Sequence, residues 1–435
     1  MNISQQIETI INNLGKDFQI LKYIYGDNKK FIAGESPVLY SGPYWDHREI
    51  TEAIRTLLVG DWISAGENVR KFEIQFAKAI DEKYGIMVNS GSSANLIMIG
   101  ALKKYYRWEN DDEIIVSAVG FPTTVSTIFQ NNLKPIFIDI EMATLNFDLN
   151  LIEAKITSKT RAIFLSPVLG NPPNIKKLKE ICKTYDLRLI LDDCDSLGSK
   201  WNNRLLNKYC IASSHSFYAA HTISTGEGGM IVTSNEKIAR IARSLVNWGR
   251  DCHCYGSESL IPDGACGHRF SKWLDDYNGI VDHRYVFSNM GYNLKPLDLQ
   301  GAIGNAQLIK LDEIYRKRKI SKEKISKLFS SIDGIHNPKQ LEKADTVWFG
   351  TPIICRDKGL KQELVAHLEA NKIQTRNYFA GNLLLHSGYK SLGDFNDYPN
   401  ANLVLDLVFF VGSSPHYNDA IFDYFELVLK EFKNA

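Results

Sequence analysis

Short apolar runs recur along the first half of the chain, at "GIMVN" (85–89), "EIIVS" (113–117), "PIFIDI" (135–140), "RAIFLS" (161–166), "RLILD" (188–192), "SSHSF" (213–217) and "GMIVT" (229–233). Between several of them apolar positions fall at helical spacing, as in Ser93–Tyr106 and Asn174–Tyr185. Alternating strands and helices predict an α/β fold with a mainly parallel central sheet covered on both faces. Sheets of this kind bind ligands outside the carboxyl ends of their strands. Upstream, "ENVRKFEIQFAKAI" has helical spacing. Downstream, from about 249 to 290, the pattern breaks into a Gly- and aromatic-rich stretch. A loop of that length inside a compact domain is usually functional. Helical periodicity resumes at "PLDLQGAIGNAQLIKLDEIYRKRKISKEKISKLF", and strand-like "VWFGTPIIC" and helical "LKQELVAHLEANK" follow. The predicted division is an N-terminal helical and loop segment over 1–50, a large domain over 51–324 and a smaller α+β domain over 325–435.

Of the 435 residues, 44% are hydrophobic, enough for a sizeable core. Lys+Arg (51) and Asp+Glu (50) nearly cancel, to a formal charge of +1, so no basic excess points to nucleic acid or an anionic membrane. The N-terminus lacks a signal-peptide layout, and runs such as "LVLDLVFFVG" are too short to span a bilayer. A cytoplasmic protein is expected. Seven cysteines, an odd number, argue against a disulfide framework, and three of them lie within fifteen residues.

Three strand ends carry candidate chemistry. In "VNSGSSANLIMIGAL", Gly91, Ser92 and Ser93 open a helix, where free amides and hydroxyls suit an anion; a plain serine N-cap would look the same. In "LDDCDSLG", Asp192 stands where a carboxylate can meet a protonated ring nitrogen, or simply cap a helix. In "SFYAAHTISTGEGG", Ser216 offers a hydroxyl and His221 an imidazole; a lone histidine is more often structural, but one among loop-forming residues at a strand end is a better acid–base candidate.

On these motifs, from about residue 40 to 430, the chain resembles the sugar-nucleotide aminotransferases that use pyridoxal phosphate, of fold type I. The resemblance implies that the Ser90–Gly91–Ser92 turn cradles the phosphate and that Asp192, six residues before Gly198, holds the pyridine nitrogen. It gives Phe121 of "VGFPTTVSTI" the ring face and Ser216 a second phosphate contact, and Asn293 of "GYNLK" a reach to the partner subunit's phosphate in a homodimer. The Schiff-base lysine of that family falls on His221, and no lysine lies between Lys208 and Lys237. This replacement fits a non-covalently held pyridoxamine phosphate, with His221 as proton-abstracting base. It resembles the subset that act as 4-keto-6-deoxy sugar-nucleotide 3-dehydrases, as does "TRNYFAGN" (375–382). Asp195 and Tyr218 are expected to line the site, with a nucleoside-diphosphate 4-keto-6-deoxyhexose as substrate and CDP, dTDP and GDP all open.

Within that subset one type regenerates its cofactor with glutamate, and another carries a 2Fe–2S cluster. Cys194 stands two residues after Asp192, and 57 residues separate it from the Cys252–Cys254 pair; Cys266 follows after eleven more. Apart from the longer last gap, this resembles the cluster-bearing type and implies four cluster ligands. Its partner would be an NADH-dependent flavin iron–sulfur reductase or a ferredoxin. By the residues alone, buried thiols or a zinc site using His253 or His268 remain open. Cys182, Cys210 and Cys355 read as core residues.

Overall fold

The structure is a computed structural model that describes residues 2–17, 31–60, 63–251 and 269–434. Its centre is a seven-stranded sheet of β1 (Tyr84–Val88), β2 (Glu113–Ser117), β3 (Lys134–Ile138), β4 (Thr160–Leu165), β5 (Arg188–Asp192), β6 (Ser213–Ser216) and β7 (Gly229–Thr233). The strand order is β1-β7-β6-β5-β4-β2-β3. β7 runs antiparallel to β1 and β6, and the other pairings are parallel. The α/β class and the mainly parallel sheet agree with the sequence expectation, and all seven apolar runs became strands.

Among the described residues twelve α-helices surround the sheets: α1 (Ile3–Asp17), α2 (His47–Val59), α3 (Glu67–Ala79), α4 (Gly91–Tyr106), α5 (Pro122–Gln130), α6 (Ile175–Thr184), α7 (Glu236–Val246), α8 (Asp298–Leu308), α9 (Leu311–Phe329), α10 (Lys358–Ala370), α11 (Pro399–Leu407) and α12 (Asp419–Asn434). Both faces of the sheet are dry. On one, α4 and α7 bring Ile97, Ile99, Leu102 and Ile238 against Ile114, Val116 and Ile190. On the other, α6 brings Leu178 and Ile181 against Ile115, Ile163 and Leu189. Fully burying each such side chain is worth about 1.5–3 kcal/mol, which is why the strands read as unbroken apolar runs.

A second, antiparallel sheet contains β8 (Ile335–His336), β9 (Gly350–Cys355), β10 (Thr375–Asn377) and β11 (Val408–Gly412), in the order β8-β9-β11-β10. Strand alternation splits β11 between two cores. Phe409 and Val411 pack with Phe329, Leu364, Leu368 and Phe425 of the surrounding helices. Phe410 instead joins the core beneath the first sheet. That face of the small sheet thereby closes over the carboxyl ends of β1, β5 and β6. None of the described helices is long and apolar enough to cross a membrane.

Candidate functional site

The register of the central sheet brings three chain segments to one edge. Val88 pairs with Gly229, Gly229 pairs with Ser216, and Asp192 pairs with Ser214. The turn after β1, the end of β5 and the loop after β6 therefore meet in space. With Phe349, Arg376, Phe379 and Phe410 from the small sheet and its loops, they enclose a cavity of about 760 Å³. Of the residues expected from the sequence, Gly91, Ser92, Phe121, Asp192, Cys194, Asp195, Ser216, Tyr218 and His221 all line it.

The phosphate end is built from the start of α4. Ser90 is the N-cap, its hydroxyl accepting from the Ser93 amide (3.1 Å). This leaves the amides of the first turn, at the positive end of a 16-residue helix, for an anion. A Cβ on Gly91 would lie 2.5 Å from Ser216 Cβ and 3.0 Å from Cys194 Sγ, so only glycine lets these segments approach. The Ser92 hydroxyl donates to Thr123 (3.0 Å) inside the cavity wall. Ser93 is a different case: its hydroxyl turns back to Asn89 Oδ1 (2.7 Å) and does not line the cavity. The cap of this turn falls on Ser90, while Gly91 and Ser92 line the cavity at the helix start.

Asp192 is buried at the end of β5. Its Oδ2 accepts from Asn95 Nδ2 (2.8 Å) and Thr124 Oγ1 (2.6 Å), and Oδ1 accepts from the Cys194 amide (3.3 Å). Among the described residues no cation pairs with it. A buried carboxylate supported by neutral donors alone is matched to a cationic ligand atom such as a protonated ring nitrogen. Asn95 is held in turn by the Ser214 hydroxyl. Sequence reasoning missed Asn95 and Thr124, although Asn95 lies one helical turn beyond Gly91 in the quoted motif. The turn after β5 closes at Gly198, where φ is +90° and a Cβ would strike the Tyr315 ring at 2.5 Å.

His221 lies in the loop between β6 and β7, with its amide donating to the Tyr218 carbonyl (3.0 Å). Its Nδ1 lies 3.8 Å from Asp195 Oδ1 and has no hydrogen-bond partner. Burial, aided by Arg318, pushes its pKa down to about 4, against the Cys194 carbonyl. The imidazole is therefore neutral, and able to accept a proton, throughout the physiological range. Burial and then Asp192 push Asp195 up to about 7, with the Leu169 amide and Arg318 opposing. The rings of Phe349 and Tyr218 stand 5.2 Å and 6.2 Å from the His221 ring. Phe121 is half exposed at the N-cap of α5, edge-on to Phe379 at 6.0 Å. No lysine lines the cavity among the described residues.

Asn293 is exposed, accepts from Lys295 Nζ (2.8 Å) and does not line the cavity of this subunit. Cys194 sits in the cavity wall, its thiol pushed well up by burial and by Asp192. Cys252, Cys254 and Cys266 lie outside the described residues, and the described residues alone assemble no metal-binding group. Cys182 and Cys355 are core residues, as expected, while Cys210 is half-buried with its thiol directed to the Leu206 carbonyl (3.6 Å).

Comparison with known proteins places this geometry. Residues 45–424 match the DegT/DnrJ/EryC1/StrS aminotransferase family. A dTDP-4-dehydro-2,6-dideoxy-D-glucose 3-dehydratase of Saccharopolyspora spinosa is 36% identical over 414 residues, covering 93% of this chain and 88% of its own. The lipopolysaccharide biosynthesis protein RfbH of Salmonella typhimurium is 35% identical, covering 97% of this chain and 98% of its own. Among solved structures, the E. coli GDP-4-keto-6-deoxy-D-mannose-3-dehydratase with bound hydrated PLP superposes with a TM-score of 0.78 at 30% identity, over 90% of this chain and 99% of that one. The chain belongs to the DegT/DnrJ/EryC1/StrS aminotransferase family.

Proposed function

We propose that this chain is a 3-dehydratase of a nucleoside-diphosphate 4-keto-6-deoxyhexose that works with pyridoxamine phosphate. The observation that carries the reading is a half-buried, neutral histidine where the family's aminotransferases place lysine, in a cavity whose described lining has no lysine. The similarity to sugar-nucleotide 3-dehydratases supports it. When bound, the cofactor supplies an amine that condenses with a ketone and a ring that takes up electrons. Gly91, Ser92 and Ser216 hold its phosphate, Asp192 keeps its ring nitrogen protonated, and Phe121 covers one face. His221 would take the proton from the carbon beside the amine nitrogen, and the imidazolium so formed would return it to the C3 hydroxyl, which leaves as water. Asp195, close to Nδ1, stabilises the imidazolium that forms. Tyr218 and Phe349 wall off the sugar. Asn293 reaches the phosphate held by a second copy of the chain in a homodimer.

Two continuations are open after water loss. In the first, which the similarity to the GDP-sugar dehydratase supports, glutamate restores the amine form and no metal takes part. A second reading is favoured by Cys194 in the cavity wall beside Gly91. Here Cys194, Cys252, Cys254 and Cys266 would hold a 2Fe–2S cluster, a source of single electrons from a flavin iron–sulfur reductase or a ferredoxin. Anaerobic incubation with CDP-, dTDP- and GDP-4-keto-6-deoxy sugars, followed by NMR, tests the shared first step. Loss of the C3 hydroxyl from at least one of them is expected, and steady amino-sugar formation without it would overturn the proposal. Iron and acid-labile sulfide in anaerobically purified protein separate the continuations: stoichiometric amounts select the reductive one, and their absence after reconstitution selects glutamate.

A further inference from the structure

Arg318, on α9, is the largest fully buried side chain among the described residues. Burying a guanidinium is costly unless its donors are met. No carboxylate among the described residues lies within ion-pair distance of it. Its partners are backbone carbonyls: Nη1 donates to Phe349 (2.9 Å), and Nη2 donates to Ala220 (3.3 Å) and His221 (3.1 Å). One rigid fork therefore ties the first part of the loop after β6 to the residue preceding β9. The two residues it joins carry rings packed side by side in the cavity wall, 5.2 Å apart and inclined at 47°.

The clamp matters because the imidazole is not oriented in the usual way. A catalytic histidine is commonly fixed by a hydrogen bond from its second nitrogen to a carboxylate. Here Nδ1 has no hydrogen-bond partner, and the Asp195 oxygen is 3.8 Å away. Apart from the Cys194 carbonyl, which also acts on the imidazole, what fixes the ring is the position of its backbone. Ser41 Oγ donates to the Ala220 carbonyl (2.5 Å), so that carbonyl has a second support. Among the hydrogen bonds described, Arg318 alone holds the His221 carbonyl.

We propose that Arg318 is the positioning residue for His221: it locks the imidazole against Phe349 and Asp195 by gripping the loop carbonyls rather than the ring. This rests on the dehydratase reading above. Lysine is a poor substitute, because one ammonium on a flexible stem cannot reproduce the planar fork to carbonyls on two segments.

The test compares the wild type with Arg318→Lys and Arg318→Met in the cofactor-loaded enzyme. Misplacement of a catalytic group by about 1 Å costs on the order of 100-fold in rate, so kcat for dehydration should fall by about that factor. KM for the sugar nucleotide and the cofactor dissociation constant should stay within about threefold. Guanidinium ion added to Arg318→Ala should restore part of kcat. Independently of turnover, amide hydrogen exchange in the cofactor-loaded Arg318→Lys protein should accelerate in residues 217–225 and not in α9 or β9. Unchanged kcat, a parallel loss of cofactor affinity, or unchanged exchange in that loop would each overturn the proposal. If the wild type dehydrates none of the sugars, the reaction reading fails, while the exchange measurement still decides the clamp.

Discussion

A single side chain, His221, sets what this cavity can do. An imidazole cannot hold an aldehyde cofactor covalently, and at a pKa of about 4 it stays an uncharged base at neutral pH. His221→Lys should therefore change the mode of cofactor binding. After borohydride reduction with pyridoxal phosphate, the variant is expected to carry a covalent adduct on residue 221 by mass spectrometry, and the wild type none there. Labelling of the wild type to the same extent through another lysine in the cavity would refute this. Asp192 and Ser216 were legible because each closes a strand inside a recognisable stretch, and His221 because it lies in the loop that follows Ser216. Asn95, Thr124 and Arg318 were not. Their partners lie 97, 68 and 97 residues away in the chain, and no local spacing encodes such contacts.

Among elements, the start of α4 is the most constrained. Helix register, rather than serine content, decides where the hydroxyls point: Ser90 caps, Ser92 lies in the cavity wall and Ser93 turns back to Asn89. Gly91→Ala would place a methyl 2.5 Å from Ser216 Cβ and push apart the two segments proposed to hold the phosphate. Cofactor affinity should fall by about 5- to 150-fold, in line with the typical 1–3 kcal/mol cost of overpacking, with smaller loss in thermal stability. Fluorescence titration with pyridoxamine phosphate checks this, and undiminished affinity would mean the phosphate sits elsewhere. The strands themselves were readable from their apolar runs. The antiparallel direction of β7 was not, because an apolar run reads the same either way. Nor was the break between α8 and α9 within one periodic stretch. It falls at Ile309–Lys310, where Lys310 is buried to reach Glu49 (2.6 Å) and Asp46 (3.3 Å) in the N-terminal part of the chain.

The whole molecule adds two properties that no motif carries. Tyr285, Phe287, Met290 and Tyr292 are 68%, 52%, 99% and 43% exposed, on the segment that also bears Asn293. An apolar surface of this kind is suited to a second copy of the chain, and sedimentation of the cofactor-loaded protein should give the dimer mass; a monomer would remove the role proposed for Asn293. The fold also excludes protons from His416, whose ring is packed at 4.9 Å from Tyr44, with Nε2 3.1 Å from the Pro43 carbonyl. Burial, with help from Arg318, Lys317 and Lys310, pushes its pKa down to about 3. An unfolded histidine titrates near about 6.5. As pH falls from there toward 3, the unfolded chain gains a proton that the fold refuses, so this contribution to stability is present above 6.5 and lost on acidification. The melting temperature should decline over that window, and His416→Gln should flatten part of the decline. An unchanged slope would show that His416 does not contribute to it.

The central claim is that this site dehydrates a sugar nucleotide with His221 as the base. The most direct measurement compares wild type and His221→Asn in a single anaerobic turnover, each loaded with pyridoxamine phosphate and given the best 4-keto-6-deoxy sugar nucleotide. Loss of the C3 hydroxyl is followed by NMR. General-base removal typically costs about 10²–10⁴-fold, so the account predicts a fall of that order in His221→Asn with cofactor and sugar nucleotide still bound. Equal rates in the two proteins would contradict it.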